Sequence, residues 1–161
     1  MTDILSLDEG YSTTRLLTQE KPQIINTPED KFETVLFLPK RENRIGEGGL
    51  RTKGYFKKSF DDKPLISIIT VVFNGEKYLE ETIQSVINQT YSNVEYIIID
   101  GGSSDGTLDI IKKYEKKIDY WVSERDNGIS DAFNKGIKIA KGDYINFQGD
   151  GDGFISSDAL E

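Results

Sequence analysis

The sequence predicts an α/β fold: a mostly parallel sheet with helices on both faces, preceded by an N-terminal extension. From Pro64 onward, β-branched runs alternate with helical periodicity, beginning and ending on a strand, an order typical of parallel sheets covered by helices. The charge balance also changes at Lys63. Residues 1–63 contain 11 basic and 11 acidic residues, whereas residues 64–161 contain 9 and 17. We therefore divide the chain into an extension, 1–63, and a domain, 64–161.

The predicted strands of the domain are short apolar runs, and the first two are nearly continuous, as in strands buried on both faces. They cover Leu65 to Phe73, Val94 to Ile99, Asp119 to Ser123 and Tyr144 to Phe147. In the extension, the run from Lys31 to Leu38 predicts one further strand.

Apolar residues at helical spacing predict three helices between these strands. The first covers Glu76 to Gln89, and the second follows a cap at Ser104 or Asp105. The third covers Gly128 to Lys141, with Ile129 among the residues expected to face inward.

The segment from Lys40 to Lys58 carries seven basic residues against Glu42 and Glu47, and it contains four glycines. A basic, glycine-rich loop could hold a diphosphate or approach an anionic membrane surface. Charge runs of this kind are usually solvated. We therefore expect a linker whose deletion leaves ligand binding intact.

The composition excludes several kinds of chemistry. Without Cys or His, the chain has no thiol chemistry, no Ser-His-Asp triad and no zinc site built on Cys or His. Any metal must therefore be held by oxygen ligands, which favour magnesium, manganese or calcium. The net charge of −8 argues against a nucleic-acid partner. The sequence contains no apolar run near the roughly 20 residues of a membrane span and no signal-peptide pattern at its start, so we expect a cytoplasmic protein.

The carboxyl ends of the predicted strands carry the candidate binding residues, because parallel sheets bind ligands at that edge. Phe73 ends the first strand, and Asp100 follows the second and precedes two glycines, which would let a ligand approach the backbone. The Asp100 carboxylate could accept a hydrogen bond from a base or a ribose hydroxyl. The alternative is an ordinary loop and helix cap.

Asp150 and Asp152 follow the last strand, with glycines between and after them. Two such carboxylates could hold one divalent cation that neutralises phosphate oxygens. An EF-hand is excluded, because Phe154 and Ile155 replace a ligand and the required glycine. A solvated acidic turn is the remaining alternative.

Arg125 precedes the third helix, whose exposed side offers Asp131 and Asn134. Helix N-termini bind anions, so these residues form a candidate anion site. The alternatives are a surface arginine and an asparagine that bonds a neighbouring loop.

Five motifs occur in order along the domain: ITVVFNG from Ile69, SVINQTY from Ser85, IDGGSSDGT from Ile99, SERDNGISDAFNKG from Ser123, and the D-x-D of Asp150 and Asp152. Together they resemble the nucleotide-binding half of a family 2 glycosyltransferase with the Rossmann-like GT-A fold. The resemblance covers Pro64 to about Ile155.

The resemblance implies a nucleotide-diphosphate sugar donor and a manganese or magnesium ion. Phe73 and Asp100 would line the base pocket, Asp150 would lie near the ribose or the metal, and Asp152 near the metal and diphosphate. We add Arg125, Asp131 and Asn134 to the expected donor site.

This chain departs from the family pattern in three ways. Many relatives have two acids where this chain has Asp100-Gly101, and the acidic pair after the last strand is split here by Gly151. The sequence also stops at Glu161, so we expect the catalytic base and the acceptor half beyond that residue.

We therefore expect the N-terminal fragment of a glycosyltransferase of bacterial surface polysaccharide synthesis, with a saccharide or lipid-linked acceptor. Peripheral contact with the inner face of the membrane is compatible with this function and not required. One alternative is a non-catalytic nucleotide-sugar-binding remnant. Another is a nucleotidyltransferase, which should have a glycine-rich phosphate loop where this chain has Asn74-Gly75-Glu76.

Overall fold

The computed structural model describes residues 3–29 and 33–161, and in these residues five strands form one sheet in the order β1-β4-β3-β2-β5. The strands are β1 (Arg44–Gly48), β2 (Ile66–Val72), β3 (Val94–Asp100), β4 (Tyr120–Glu124) and β5 (Tyr144–Gly149). The strands β2 to β5 are parallel, whereas β1 pairs antiparallel with β4 at one edge. The mostly parallel α/β fold is thus confirmed.

Helices cover both faces of this sheet, as predicted. The helices α1 (Leu79–Ile87) and α2 (Thr107–Lys113) pack on one face, and α3 (Ile129–Ile139) packs on the other. Successive side chains along a strand point to opposite faces of the sheet: Ile68 and Ile98 face α1 and α2, whereas Ile69 and Ile97 face α3. Among the described residues, the helices are all too short or too polar to cross a membrane.

The N-terminal extension packs against the domain. Ser12 donates hydrogen bonds from its backbone N to Ile87 O (2.9 Å) and from its hydroxyl to Val86 O (2.8 Å), so it satisfies carbonyls at the end of α1. Leu17 is fully buried. The predicted boundary between residues 63 and 64 stays a prediction.

The strand predicted from Lys31 to Leu38 begins in residues outside the described part, and residues 33–38 form no strand. Their backbone bonds elsewhere: Val35 N donates to Lys138 O (2.8 Å), and Leu38 N donates to the Tyr120 hydroxyl (3.2 Å). The apolar run therefore covers the α3 face of the sheet instead of extending the sheet.

The linker prediction is wrong for residues 44–57. This part of the basic segment contains β1 and a short 3₁₀ helix, Leu50–Lys53. Both Arg51 and Lys57 are buried at the amino-terminal edge of the sheet. Arg51 forms an ion pair with Glu95, and Lys57 Nζ lies 2.6 Å from Asp119 Oδ1. A buried carboxylate needs a compensating charge, and the extension supplies it for both acids.

Further hydrogen bonds complete the Arg51–Glu95 pair. The guanidinium donates to Leu36 O (2.8 Å) and Ile139 O (2.7 Å). Glu95 Oε2 accepts from the Ser67 hydroxyl (2.5 Å) and from Lys141 N (2.8 Å). Burial alone would raise the pKa of the Glu95 carboxyl. Arg51 and these hydrogen bonds outweigh burial, and the pKa lies below its ordinary value.

Candidate functional site

A cleft of about 760 Å³ lies at the carboxyl edge of the sheet. Every strand contributes to its wall or to the loops around it. The lining residues come from β1 and the loop before it, the ends of β2 to β5, and the start of α3: Asn43, Ile45, Val71, Val72, Phe73, Gly101, Gly102, Arg125, Asp126, Gly128, Ile129, Ala132, Gly149 and Asp150. The edge of the sheet at which the strand order predicts ligand binding therefore contains a cavity.

Of the predicted donor-site residues, Phe73, Arg125 and Asp150 line this cleft. Phe73 is 63% exposed directly after β2. Asp131 lies in the first turn of α3, where it accepts a hydrogen bond from Asn127 N (2.9 Å). Asn134 is exposed on α3 and is not among the lining residues.

Asp100 is fully buried beneath the loop that follows β3. Its carboxylate accepts hydrogen bonds from Ser103 N (3.0 Å), the Ser103 hydroxyl (2.5 Å) and the Ser123 hydroxyl of β4 (2.6 Å). The Ser103 hydroxyl in turn accepts from Asn74 N after β2 (2.7 Å). Asp100 thus ties together the ends of three strands, and its side chain is not among the lining groups. Direct contact with a base stays a prediction.

Asp126 was not among the predicted site residues, yet its carboxylate occupies the space beside Gly101. A Cβ built on Gly101 would lie 2.9 Å from Asp126 Oδ2, so the loop after the neighbouring strand β4 supplies a carboxylate where residue 101 carries none. The other oxygen accepts from Gly128 N (3.0 Å). Gly128 has φ +110°, a conformation that favours glycine. The Asp-Asn-Gly sequence before α3 was the available signal for this turn.

The two predicted metal ligands face different surroundings. Asp150 lines the cleft and lies close to the turn after β2, since a Cβ on Gly75 would lie 2.5 Å from Asp150 Oδ2. Asp152 is exposed, and its Oδ2 accepts a hydrogen bond from Gly149 N (2.9 Å). The described part of the chain contains no group of three acidic side chains arranged around a metal position. Two carboxylates are hard oxygen donors that suit magnesium or manganese when phosphate and water supply the remaining ligands.

Glu124, the last residue of β4, is buried among cations beside the cleft. Its carboxylate lies 2.6 Å from Arg44 Nη2, 3.3 Å from Arg41 Nε and 3.3 Å from Lys135 Nζ. These ion pairs join the extension, β4 and α3 at one wall of the cleft. The prediction that Ile129 faces inward is wrong: it is the first residue of α3, lines the cleft and is 65% exposed.

The comparisons with known proteins agree on one family. The sequence model of glycosyl transferase family 2 matches residues 67–161. A glycosyltransferase of Haemophilus influenzae without an assigned role is 44% identical over 101 residues, or 61% of this chain and 40% of the relative. TuaG of Bacillus subtilis, named for teichuronic acid biosynthesis, is 40% identical over 102 residues, or 62% of this chain and 40% of TuaG. The chain thus spans about 40% of the length of these relatives.

Two solved structures share the fold. Staphylococcus aureus TarS 1–349 in complex with UDP-GlcNAc has 28% sequence identity and a TM-score of 0.50, covering 55% of this chain and 27% of the TarS 1–349 chain. The mannosyltransferase PcManGT from Pyrobaculum calidifontis, in complex with GDP-Man and Mn²⁺, has 21% identity and a TM-score of 0.57. It covers 61% of this chain and 30% of PcManGT, and at this identity it supports the fold alone.

Proposed function

Since the chain belongs to glycosyl transferase family 2, we propose that its cleft binds the nucleoside diphosphate of a sugar donor, whose sugar the whole protein transfers to an acceptor. The observation that carries this proposal is the cleft itself, which lies where the parallel strands end and combines Phe73, Arg125 and Asp150. The TarS complexes with UDP-GlcNAc and with UDP support a nucleotide ligand for this fold.

The proposal gives a chemical role to five of the predicted site residues. The exposed ring of Phe73 packs against the base, and the Arg125 guanidinium donates hydrogen bonds to the base or the ribose. Asp150 and Asp152 would hold manganese or magnesium, which when bound neutralises charge on the departing diphosphate. Asp100 does not line the cleft. It acts indirectly, by holding the Gly101-Gly102 loop against which the nucleotide lies.

We place the catalytic base outside residues 1–161, because the chain spans about 40% of the length of the two curated relatives described above. Transfer needs a positioned base and an acceptor site. The name of TuaG supports a polysaccharide product, and we propose a saccharide or lipid-linked acceptor in the cytoplasm. For residues 1–161 alone, we expect binding without transfer.

Calorimetry with residues 1–161 tests the binding proposal. UDP and GDP are titrated in the presence of manganese, with uridine as a control that lacks phosphate. We expect at least one diphosphate to bind, and to bind more tightly than the nucleoside. Absence of affinity for both diphosphates would contradict the proposed function. Sugar transfer by residues 1–161 at roughly one turnover per second or faster would contradict our placement of the base.

Replacing Asp100 with asparagine is expected to reduce both nucleotide affinity and the free energy of unfolding, each by about 1–3 kcal/mol. The reason is that an amide has one accepting oxygen where the carboxylate has two, so it cannot accept all three hydrogen bonds that Ser103 and Ser123 donate. Asp109→Asn, an exposed change on α2, is the matched control and should alter neither quantity. A loss of affinity with unchanged stability would instead indicate direct contact between Asp100 and the ligand.

A further inference from the structure

The strand β1 lies upstream of the family match, which begins at residue 67, yet its residue Ile45 and the preceding Asn43 line the cleft. The pairing of β1 with β4 is irregular at this point. Arg44 pairs with Glu124 and Gly46 pairs with Ser123, so Ile45 is an extra residue without a partner across the ladder. This is a β-bulge, a feature that redirects a side chain and is frequent next to active sites.

Contacts on both sides hold the bulge in place. The Arg44 guanidinium lies 2.6 Å from Glu124 and donates to Pro39 O (2.7 Å). Gly46 packs so closely on Trp121 that a Cβ there would lie 2.8 Å from the indole ring. Ile45 is therefore presented on an anchored strand, and its side chain remains 55% exposed.

Ile45 shares the cleft with two other large apolar side chains, Phe73 and Ile129, and in each of the three more than half of the surface is exposed. Apolar surface of this kind gains free energy when a ligand covers it. The acids after β5 lie at the opposite end of the strand order from β1. At about 4.8 Å per strand, four spacings separate the two ends by roughly 19 Å. A diphosphate held near Asp150 therefore directs the base toward β4 and β1.

We propose that Ile45 forms part of the wall that contacts the nucleobase, together with Phe73 and Ile129, so that the N-terminal strand takes part in selecting the donor. This inference rests on the proposed function. The Asn43 side chain, at the same rim, carries both a donor and an acceptor for a base edge. Residues outside the family match thus complete the donor site.

Methyl NMR of isoleucine-labelled residues 1–161 tests the inference directly. The probes are UDP and GDP, and whichever binds more tightly is titrated. The Ile45 and Ile129 methyl signals are expected to shift, whereas those of Ile25 and Ile155, which are exposed and do not line the cleft, should not. Inorganic pyrophosphate, which lacks a base, should leave the Ile45 signal in place.

Substitution gives an independent measurement. Ile45→Ala should weaken binding of the chosen nucleotide about tenfold, equivalent to about 1.4 kcal/mol, and leave pyrophosphate affinity unchanged. Ile45→Leu should restore most of the affinity, and Ile25→Ala is the matched control with no expected effect. A melting temperature equal to that of the unaltered chain shows that the bulge still folds.

The outcomes separate the two proposals. If the chain binds the nucleotide but Ile45→Ala has unchanged affinity and the Ile45 methyl signal does not move, the role of Ile45 is overturned and the proposed function stands. If neither UDP nor GDP binds the unaltered chain, the proposed function fails, and the role of Ile45 fails with it.

Discussion

Replacing Arg51 with methionine is expected to lower the free energy of unfolding by about 3–5 kcal/mol, the usual cost of removing one partner of a buried ion pair. The side chains of Arg51 and Glu95 are each 2% exposed, so the variant leaves the Glu95 carboxylate buried without its cation. Urea denaturation at pH 7 measures the loss. The additional replacement Glu95→Met should restore much of the stability, because two apolar side chains need no charge compensation.

Lys113→Met is the matched control, since Lys113 pairs with Glu80 on the surface, where their side chains are 61% and 40% exposed. It should have no measurable effect. If Arg51→Met were equally harmless, the buried pair would not stabilise the fold.

The pH dependence follows from the direction of the Glu95 pKa shift. In the folded chain this pKa lies below its ordinary value of 4.5. The stabilisation is therefore fully present above pH 4.5 and is lost as the pH falls through the folded-state pKa. The stability difference between the unaltered chain and Arg51→Met should be largest near neutral pH and shrink on acidification.

Manganese and a nucleoside diphosphate are expected to tighten each other's binding by the same factor, about tenfold within the range of 5- to 150-fold usual for coupled sites. Asp150 and Asp152 alone supply few of the roughly six oxygen ligands that such a cation prefers, so the metal alone should bind weakly. Phosphate oxygens complete the set. Calorimetry of each ligand in the absence and presence of the other measures the factor.

Asp152→Asn should remove this coupling more completely than it reduces nucleotide binding without metal. Asp158→Asn, an exposed change outside the cleft, is the control. Nucleotide affinity that is indifferent to both manganese and a chelator would contradict the metal assignment.

The parallel strands and their order with the helices were predictable because their signal is local. The apolar run of β2 and the apolar spacing in α1 lie within single segments, and each element forms where the pattern indicates. The edge strand β1 has no such pattern, since its sequence RIGEG is rich in glycine and charge. It is a strand because β4 pairs with it. The two strands are far apart in the sequence, so no short segment of sequence reveals this pairing.

The candidate site was predictable in position and less so in side-chain orientation. The topology places Phe73, Arg125 and Asp150 at one edge of the sheet, as expected. Asp100 points inward because Ser123 of the neighbouring strand donates to it, and the alignment of that pair depends on strand register. Burial of Arg51 and Lys57 was also hidden, since such residues are almost never fully buried unless paired. Glu95 within the apolar VEYIIID of β3 was the available sign of a buried cation.

The ion pairs of the extension have a consequence for the order in which the protein is made. Arg51 precedes Glu95 by 44 residues, Lys57 precedes Asp119 by 62, and Arg44 precedes Glu124 by 80. At roughly 5–20 residues per second on the ribosome, each cation is synthesised seconds before its partner. During that interval these side chains are hydrated, and a segment rich in charge and glycine stays soluble while it waits. The charged, glycine-rich composition of the extension, which resembles that of a linker, therefore suits a segment that is made before the strands against which it packs.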